Sequence, residues 1–393
     1  ADNLENAISA LTIALTFFKR EVFPQDCAMT QKNLGTTYMD RIRGYRTENL
    51  ENAIATFSEV LTVYKRDAWP LRYAETLFYL GYVYKEVNQF HSAYTAFESA
   101  ISTIESCRDE ILSGEETKRK QAEEWNKLYS SMVEVCLKLG NTTKAIEYTE
   151  RSKTRNLVEQ ILERDSKTIF PLEVITQLET YRDKIAKGQY QIQNGKAENP
   201  TVLAQHLQQL RPERNELQDR YLPIGSGFQF EPFRSTLSHR TAIIEFYITI
   251  DKLLIFIITK QTQKPIILSP DLIDLNKLAR CKKNYLKAYN NKKSHWQRRL
   301  STRLNLLAKI LHIDEIIQQI PTECDKLILI PHRYLHLLPL NALPLAGDSN
   351  LFDRFPQGVS YAPSCQLLQL AQTRQRPEFT HLFAVQNPTG DLT

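Results

Sequence analysis

Glycine is scarce in this chain, with 12 among 393 residues. That argues against a turn-rich, mainly β architecture and for helices. No stretch approaches the roughly 20 apolar residues that a bilayer-crossing helix needs, so no membrane partner is expected. Residues 10–18 are as apolar as a signal-peptide core, but they lack a basic leader and a small-residue cleavage site. They return in modified form at 56–64, and a repeat explains them better. The six cysteines, Cys27, Cys107, Cys136, Cys281, Cys324 and Cys365, form no Cys-x-x-Cys pair, which excludes the common zinc and redox motifs. Cysteines in helical segments read as small core residues. The cytoplasm is the expected compartment, with neither metal nor cofactor. Acidic residues are missing from 277–303, where ten lysines and arginines fall, while the whole chain carries only +5. The positive charge is therefore a local patch, and the remainder is net acidic.

What is present is an ordinary globular profile, 42% hydrophobic and 24% charged, long enough for two or three domains. The first half repeats itself. Asn3-Leu4-Glu5-Asn6-Ala7-Ile8 returns at an offset of 46 as Asn49-Leu50-Glu51-Asn52-Ala53-Ile54. The same offset relates Pro24 to Pro70, Ala28 to Ala74, Gly35 to Gly81 and Tyr38 to Tyr84. Gly81, Tyr84, Ala93, Phe97 and Ala100 have the spacing of small and large positions in a helical hairpin, where small residues let two helices approach and aromatics fill the groove. The set resembles the TPR signature, whose usual period is about 34 residues. Six extra residues between Gly35 and Ala53 are expected to form a polar loop at 41–48. A weaker unit spans 125–139, a Gly140-Asn141 turn and 145–162, with 108–123 either a long helix or a loop. Such an array is expected to bind a protein or peptide on its concave face, or else to scaffold the domain after it.

Beyond Pro171, residues 172–188 and 202–222 carry helical apolar spacing and read as a hairpin. From 240 the period changes. Residues 241–249 and 252–260 read as a β-hairpin and 265–269 as a third strand; 271–289 and 296–311 read as helices, 313–320 as a short helix, and 325–331 as a buried strand.

The run from Leu327 through Ile330-Pro331-His332-Arg333-Tyr334-Leu335-His336-Leu337-Leu338-Pro339 to Ala342-Leu343-Pro344-Leu345 resembles the signature of the CHAT family. Val359-Ser360-Tyr361-Ala362-Pro363-Ser364, then Leu382-Phe383-Ala384-Val385 and Asn387-Pro388, resemble the segments that come after it in that family. The resemblance implies a caspase-like α/β domain in which a His and a Cys on neighbouring strand ends make a nucleophilic pair. The family's His lies in a His-Gly element beyond the segments matched here, and this chain has no His-Gly dipeptide. The reading is thus an all-α TPR-like superhelix (1–170), a helical-hairpin linker (171–239) and a partial α/β, caspase-like domain (240–393) of a cysteine peptidase. The chain starts inside a helical pattern and stops after a loop signal, so it is expected to be a piece of a longer protein whose catalytic pair lies beyond Thr393. A partial sheet is expected to leave an edge and an apolar face uncovered, and so to associate.

Alternatives stay open. His332 and His336, four apart, would share a helix face and could ligate a metal, but Pro331 and Pro339 argue against a helix and for structural roles. Cys365 with His336 is a conceivable internal dyad. The chain could be a non-catalytic scaffold. Basic residues interleaved with Tyr285, Tyr289 and Trp296 could bind single-stranded nucleic acid, although the amphipathic spacing around Tyr285 would bury the rings.

Overall fold

The computed structural model describes residues 2–107, 115–164, 166–222, 227–268, 274–291, 293–347 and 349–373. The segments at 382–388, together with Lys292 of the basic patch, lie outside the described residues. The chain is mostly helical, with one small mixed sheet in its C-terminal part.

Seven helices come first: α1 (Asp2–Phe17), α2 (Pro24–Asp40), α3 (Arg46–Val63), α4 (Pro70–Glu86), α5 (Phe90–Ser106), α6 (Glu115–Lys138) and α7 (Thr142–Arg164). Each packs on the next, and α4 also touches both α2 and α6, as in a stack of hairpins. The sequence repeat has a physical reading here. Pro24 and Pro70 open α2 and α4 at the position where a missing N–H costs nothing. A Cβ on Gly35 would lie 2.8 Å from the Phe57 ring, and one on Gly81 would lie 2.6 Å from Phe97. Ala53, Ala93, Ala100, Phe57 and Phe97 are fully buried, and Tyr38 and Tyr84 pack against the same core.

The polar loop expected at 41–48 is only partly a loop. α3 begins at Arg46, so part of the insertion forms an added first turn of helix before Ala53. Asn49 holds that turn. It is buried, its Nδ2 donates to the Arg43 carbonyl at 2.8 Å, and its Oδ1 accepts from Arg41 Nη1 at 3.2 Å.

A four-residue helix, α8 (Ser166–Ile169), leads to a hairpin of α9 (Leu172–Gln193) and α10 (Pro200–Tyr221). The hairpin closes at Gly188, where a Cβ would meet Leu207 at 2.8 Å. It also docks on the first helices: Gln189 Nε2 donates to the Ala68 carbonyl at 2.6 Å, and Arg214 Nη2 to the Ser106 carbonyl at 3.0 Å.

The remaining elements are α11 (Phe230–Thr236), β1 (Thr241–Ile248), β2 (Leu253–Thr259), β3 (Ile266–Leu268), α12 (Leu275–Asn291), α13 (Lys293–Arg298), α14 (Leu300–Leu311), α15 (Ile313–Gln318), β4 (Lys326–Ile330), α16 (Leu351–Arg354), β5 (Val359–Tyr361) and α17 (Cys365–Thr373). The helix expected over 296–311 is broken at Arg299. The sheet order is β3-β2-β1-β4-β5, with β1, β4 and β5 parallel and the other pairs antiparallel.

Every residue of β1 is buried, because the sheet is covered on both faces. Ala242, Ile244, Phe246 and Ile248 face a core shared with α12, α14 and α15. Ile243 and Tyr247 face a core that runs without a break into α3–α7. The sheet therefore lacks the open apolar face expected from sequence: α6 and α7, with α11 and α17, take the place of a covering layer. The open features are the two edges, since no described strand pairs with the outer side of β3 or of β5.

Candidate functional site at the helix–sheet junction

α7 joins the two parts of the molecule through polar contacts to each. Towards the preceding helices, Arg151 makes a two-pronged ion pair with Glu105 at 2.6 and 3.0 Å, and Tyr148 donates to Glu98 at 3.2 Å. Towards the sheet and its flanking helices, Glu147, Glu150 and Lys153 recur at three-residue spacing, with Ser152 beside them. Glu147 Oε1 accepts the Phe230 N–H at 3.2 Å, where α11 starts. Ser152 Oγ accepts from Tyr247 Oη at 3.1 Å. Lys153 Nζ lies 2.7 Å from Glu245 Oε1, with 6% and 0% of the two side chains exposed.

Glu150 completes the junction. One oxygen accepts the Cys365 N–H at 3.0 Å and the other the Gln366 N–H at 2.7 Å. Ser364 Oγ takes the Leu367 N–H at 3.1 Å. Three orphan donors at the start of α17 are thereby satisfied, two of them by a residue about 215 positions earlier in the chain. Cys365 Sγ in turn donates to Glu245 Oε2 at 3.4 Å.

Two carboxylates and one ammonium are thus shut away from water. Burial first, and the neighbouring Glu245 charge second, hold the Glu150 carboxyl well above the ordinary glutamate range. Burial and the same two carboxylates push the Cys365 thiol well up. A protonated, fully buried thiol is neither a nucleophile nor a good metal ligand. Glu150, Glu245 and Cys365 lie close enough to surround an ion, but Lys153 already supplies the positive charge there.

Residues 331–345, which follow β4, form no α-helix. They make two 3-10 turns, Arg333–Leu337 and Leu340–Ala342, so His332 and His336 do not share an α-helix face. His332 Nδ1 accepts the Ile248 N–H at 2.9 Å, and its ring stacks on Tyr247 at 4.7 Å. Burial, with Lys153 nearby, depresses its pKa well below the usual value, so the ring is neutral and acts as a backbone acceptor. Pro331, Leu335, Leu338, Leu340 and Leu343 are buried and fix the turns against the α14–α15 side of the sheet; Pro339 and Pro344 are half-buried, and Ala342 is exposed. His336 stands exposed at the rim of a cleft and makes no pair with Cys365, whose partner is Glu245.

Neither a protein-family model nor a curated protein matches this chain.

The sequence did carry a signal for the junction. Glu245 is the only charged residue in a strand that is otherwise apolar, and a buried lone carboxylate demands a partner. Its partner on α7 lies about 90 positions earlier, among residues whose pattern marks only a helix. The aromatics of the basic patch pack on one another: Trp296 meets Tyr285 and Tyr289 edge-on at 5.7 and 5.2 Å.

Proposed function

We propose that this chain is a TPR-type helical array with the first part of a CHAT-type, caspase-like domain, in which the array senses a protein partner and sets the state of the α/β domain. The observation that carries the reading is the α7 junction. Glu150, Ser152 and Lys153 reach the start of α17, β1 and, through Tyr247, His332 of the signature. A partner that bends or stiffens the helices would change these buried contacts directly, since packed interfaces respond by switching between arrangements rather than by yielding. The strand–Pro–His–x–x–Leu–His order of the signature supports the family reading. In that reading the peptidase pair comes from elements beyond the matched segments.

The test is to read and express the coding sequence continued past Thr393. A strand ending in His-Gly followed by a strand-end Cys, with thiol-dependent cleavage of a peptide library that the Cys→Ala variant loses, is expected. An open reading frame that continues without either residue removes the peptidase reading. It would leave the second reading, a non-catalytic interaction scaffold, which the inert state of Cys365 favours for the described residues themselves. Nucleic-acid binding through 277–303 is less well supported, because the patch's rings are engaged with each other.

A further inference from the structure

A cleft of about 470 Å³ opens where the parallel strands β4 and β5 end. It is bordered by Tyr285 of α12, by His336, Leu337 and Asn341 of the 3-10 turns and Pro339 between them, and by Tyr361 of β5. We propose that this cleft binds an acidic peptide, one apolar side chain seating against Leu337 and Tyr361 while flanking carboxylates meet the positive field of α12. The proposal concerns binding alone and stands whether or not the chain belongs to a peptidase.

The position is the first argument. In open sheets with parallel strands, ligands bind beyond the carboxyl ends of the strands, where connections diverge. The lining is the second. Leu337 and Tyr361 are about half exposed and both line the concavity, leaving apolar surface there open to a ligand. Tyr361 is already fixed, since its Oη donates to Asn341 Oδ1 at 3.0 Å and accepts the Asn341 N–H at 2.9 Å. A fixed ring binds with little loss of its own freedom. His336 supplies an exposed polar edge for a peptide group.

Charge gives the third argument and selects the occupant. None of the cleft's lining residues is acidic. Lys282 sits over the Tyr334 ring at 5.3 Å, and Tyr334 is a near neighbour of His336 in the same 3-10 turn. Among the described residues of the patch, the ion pairing seen is the exposed Lys277–Asp274 contact at 4.0 Å. A cluster this rich in cations raises the local concentration of anions over about one Debye length, roughly 8–10 Å. Nucleic acid fits less well, because Tyr285 and Tyr289 are packed edge-on against Trp296 instead of presenting free faces for bases.

The experiment is fluorescence anisotropy on the intact chain. The probes are fluorescein-labelled hexapeptides with one Leu, Phe, Tyr or Trp among glutamates, their lysine counterparts, their serine-substituted counterparts, and labelled oligothymidylate. At least one glutamate peptide should bind at low ionic strength. Replacing its apolar residue by Ser, or the protein's Leu337→Asp or Leu337→Ser, should each weaken binding about tenfold or more, as loss of a central anchor does. Reversal of Lys282, Lys283 and Lys287 to Glu should abolish it. Leu337 is exposed, so an unchanged thermal midpoint is expected, and Leu337→Ser serves if Leu337→Asp does not fold. Failure of every glutamate peptide, binding indifferent to both Leu337 variants, or binding of oligothymidylate alone would each overturn the proposal.

Discussion

At the scale of single residues, a few groups have little freedom to change. Gly81 lies under Phe97 with no space for a methyl group, so Gly81→Ala should cost about 1–3 kcal/mol, the range for overpacking. Gly140 is the control, since a Cβ there would meet nothing and only its φ of +71° resists substitution. Urea unfolding of both variants checks this. Arg333 also has a positive φ, 52°, with no glycine to make it easy. Arg333→Gly should leave the 3-10 turn in place and stabilise by about 1 kcal/mol. Glu150 gives a pH dependence with a definite sign. Its folded pKa is raised, so between the ordinary glutamate value and that raised value the native state holds a proton the unfolded chain has lost. The contribution of Glu150 to stability is therefore full below the ordinary value of 4.5 and falls as pH rises through the window. Glu150→Gln, which cannot ionise, should flatten the slope of unfolding free energy against pH over that range. An unchanged slope would mean that the proton is held elsewhere.

At the scale of elements, α7 is one helix serving two cores. Lys153 and Glu245 are the pair to test. Either Lys153→Met or Glu245→Gln alone leaves a buried charge without its partner and should cost about 3–5 kcal/mol. Lys153→Met with Glu245→Leu removes both and should recover much of that loss. A double-mutant cycle by urea denaturation reads the coupling, and additive losses would mean that the contact has no energetic weight. The elements themselves were largely legible in the sequence. The hairpin of β1 and β2, the buried β4, and helices α9 and α10 follow from periodicity and from punctuation by proline and turn residues. The added turn of α3 was not, because Arg46-Thr47-Glu48-Asn49 has a loop's composition, while the folded chain ties the turn down through the buried side-chain bonds of Asn49. The junction was half legible. Glu245 stands out in its strand, but local patterns carry no information about a partner brought near by tertiary packing. The same limit made Cys365 and His336 look pairable, when the fold gives Cys365 to Glu245.

At the scale of the whole molecule, the helices and the sheet share one core. The cluster that includes Leu50 and Phe97 continues through Tyr129, Tyr148 and Phe233 to Tyr247 and Cys365. This is why the five described strands of the sheet have no bare face. It also makes the repeats more than an appendage: α3–α7 pack into the same buried cluster that reaches β1. The cysteines report on this directly, since Cys136 lies buried in α6, Cys365 at the junction and Cys324 just before β4. The deciding measurement is pulsed thiol alkylation across a urea titration, read for each cysteine by mass spectrometry. One cooperative core predicts that Cys136 and Cys365 become reactive at the same urea concentration. Labelling of Cys136 at lower urea, with Cys365 still protected, would contradict the account by showing that the helices come apart without disturbing the sheet.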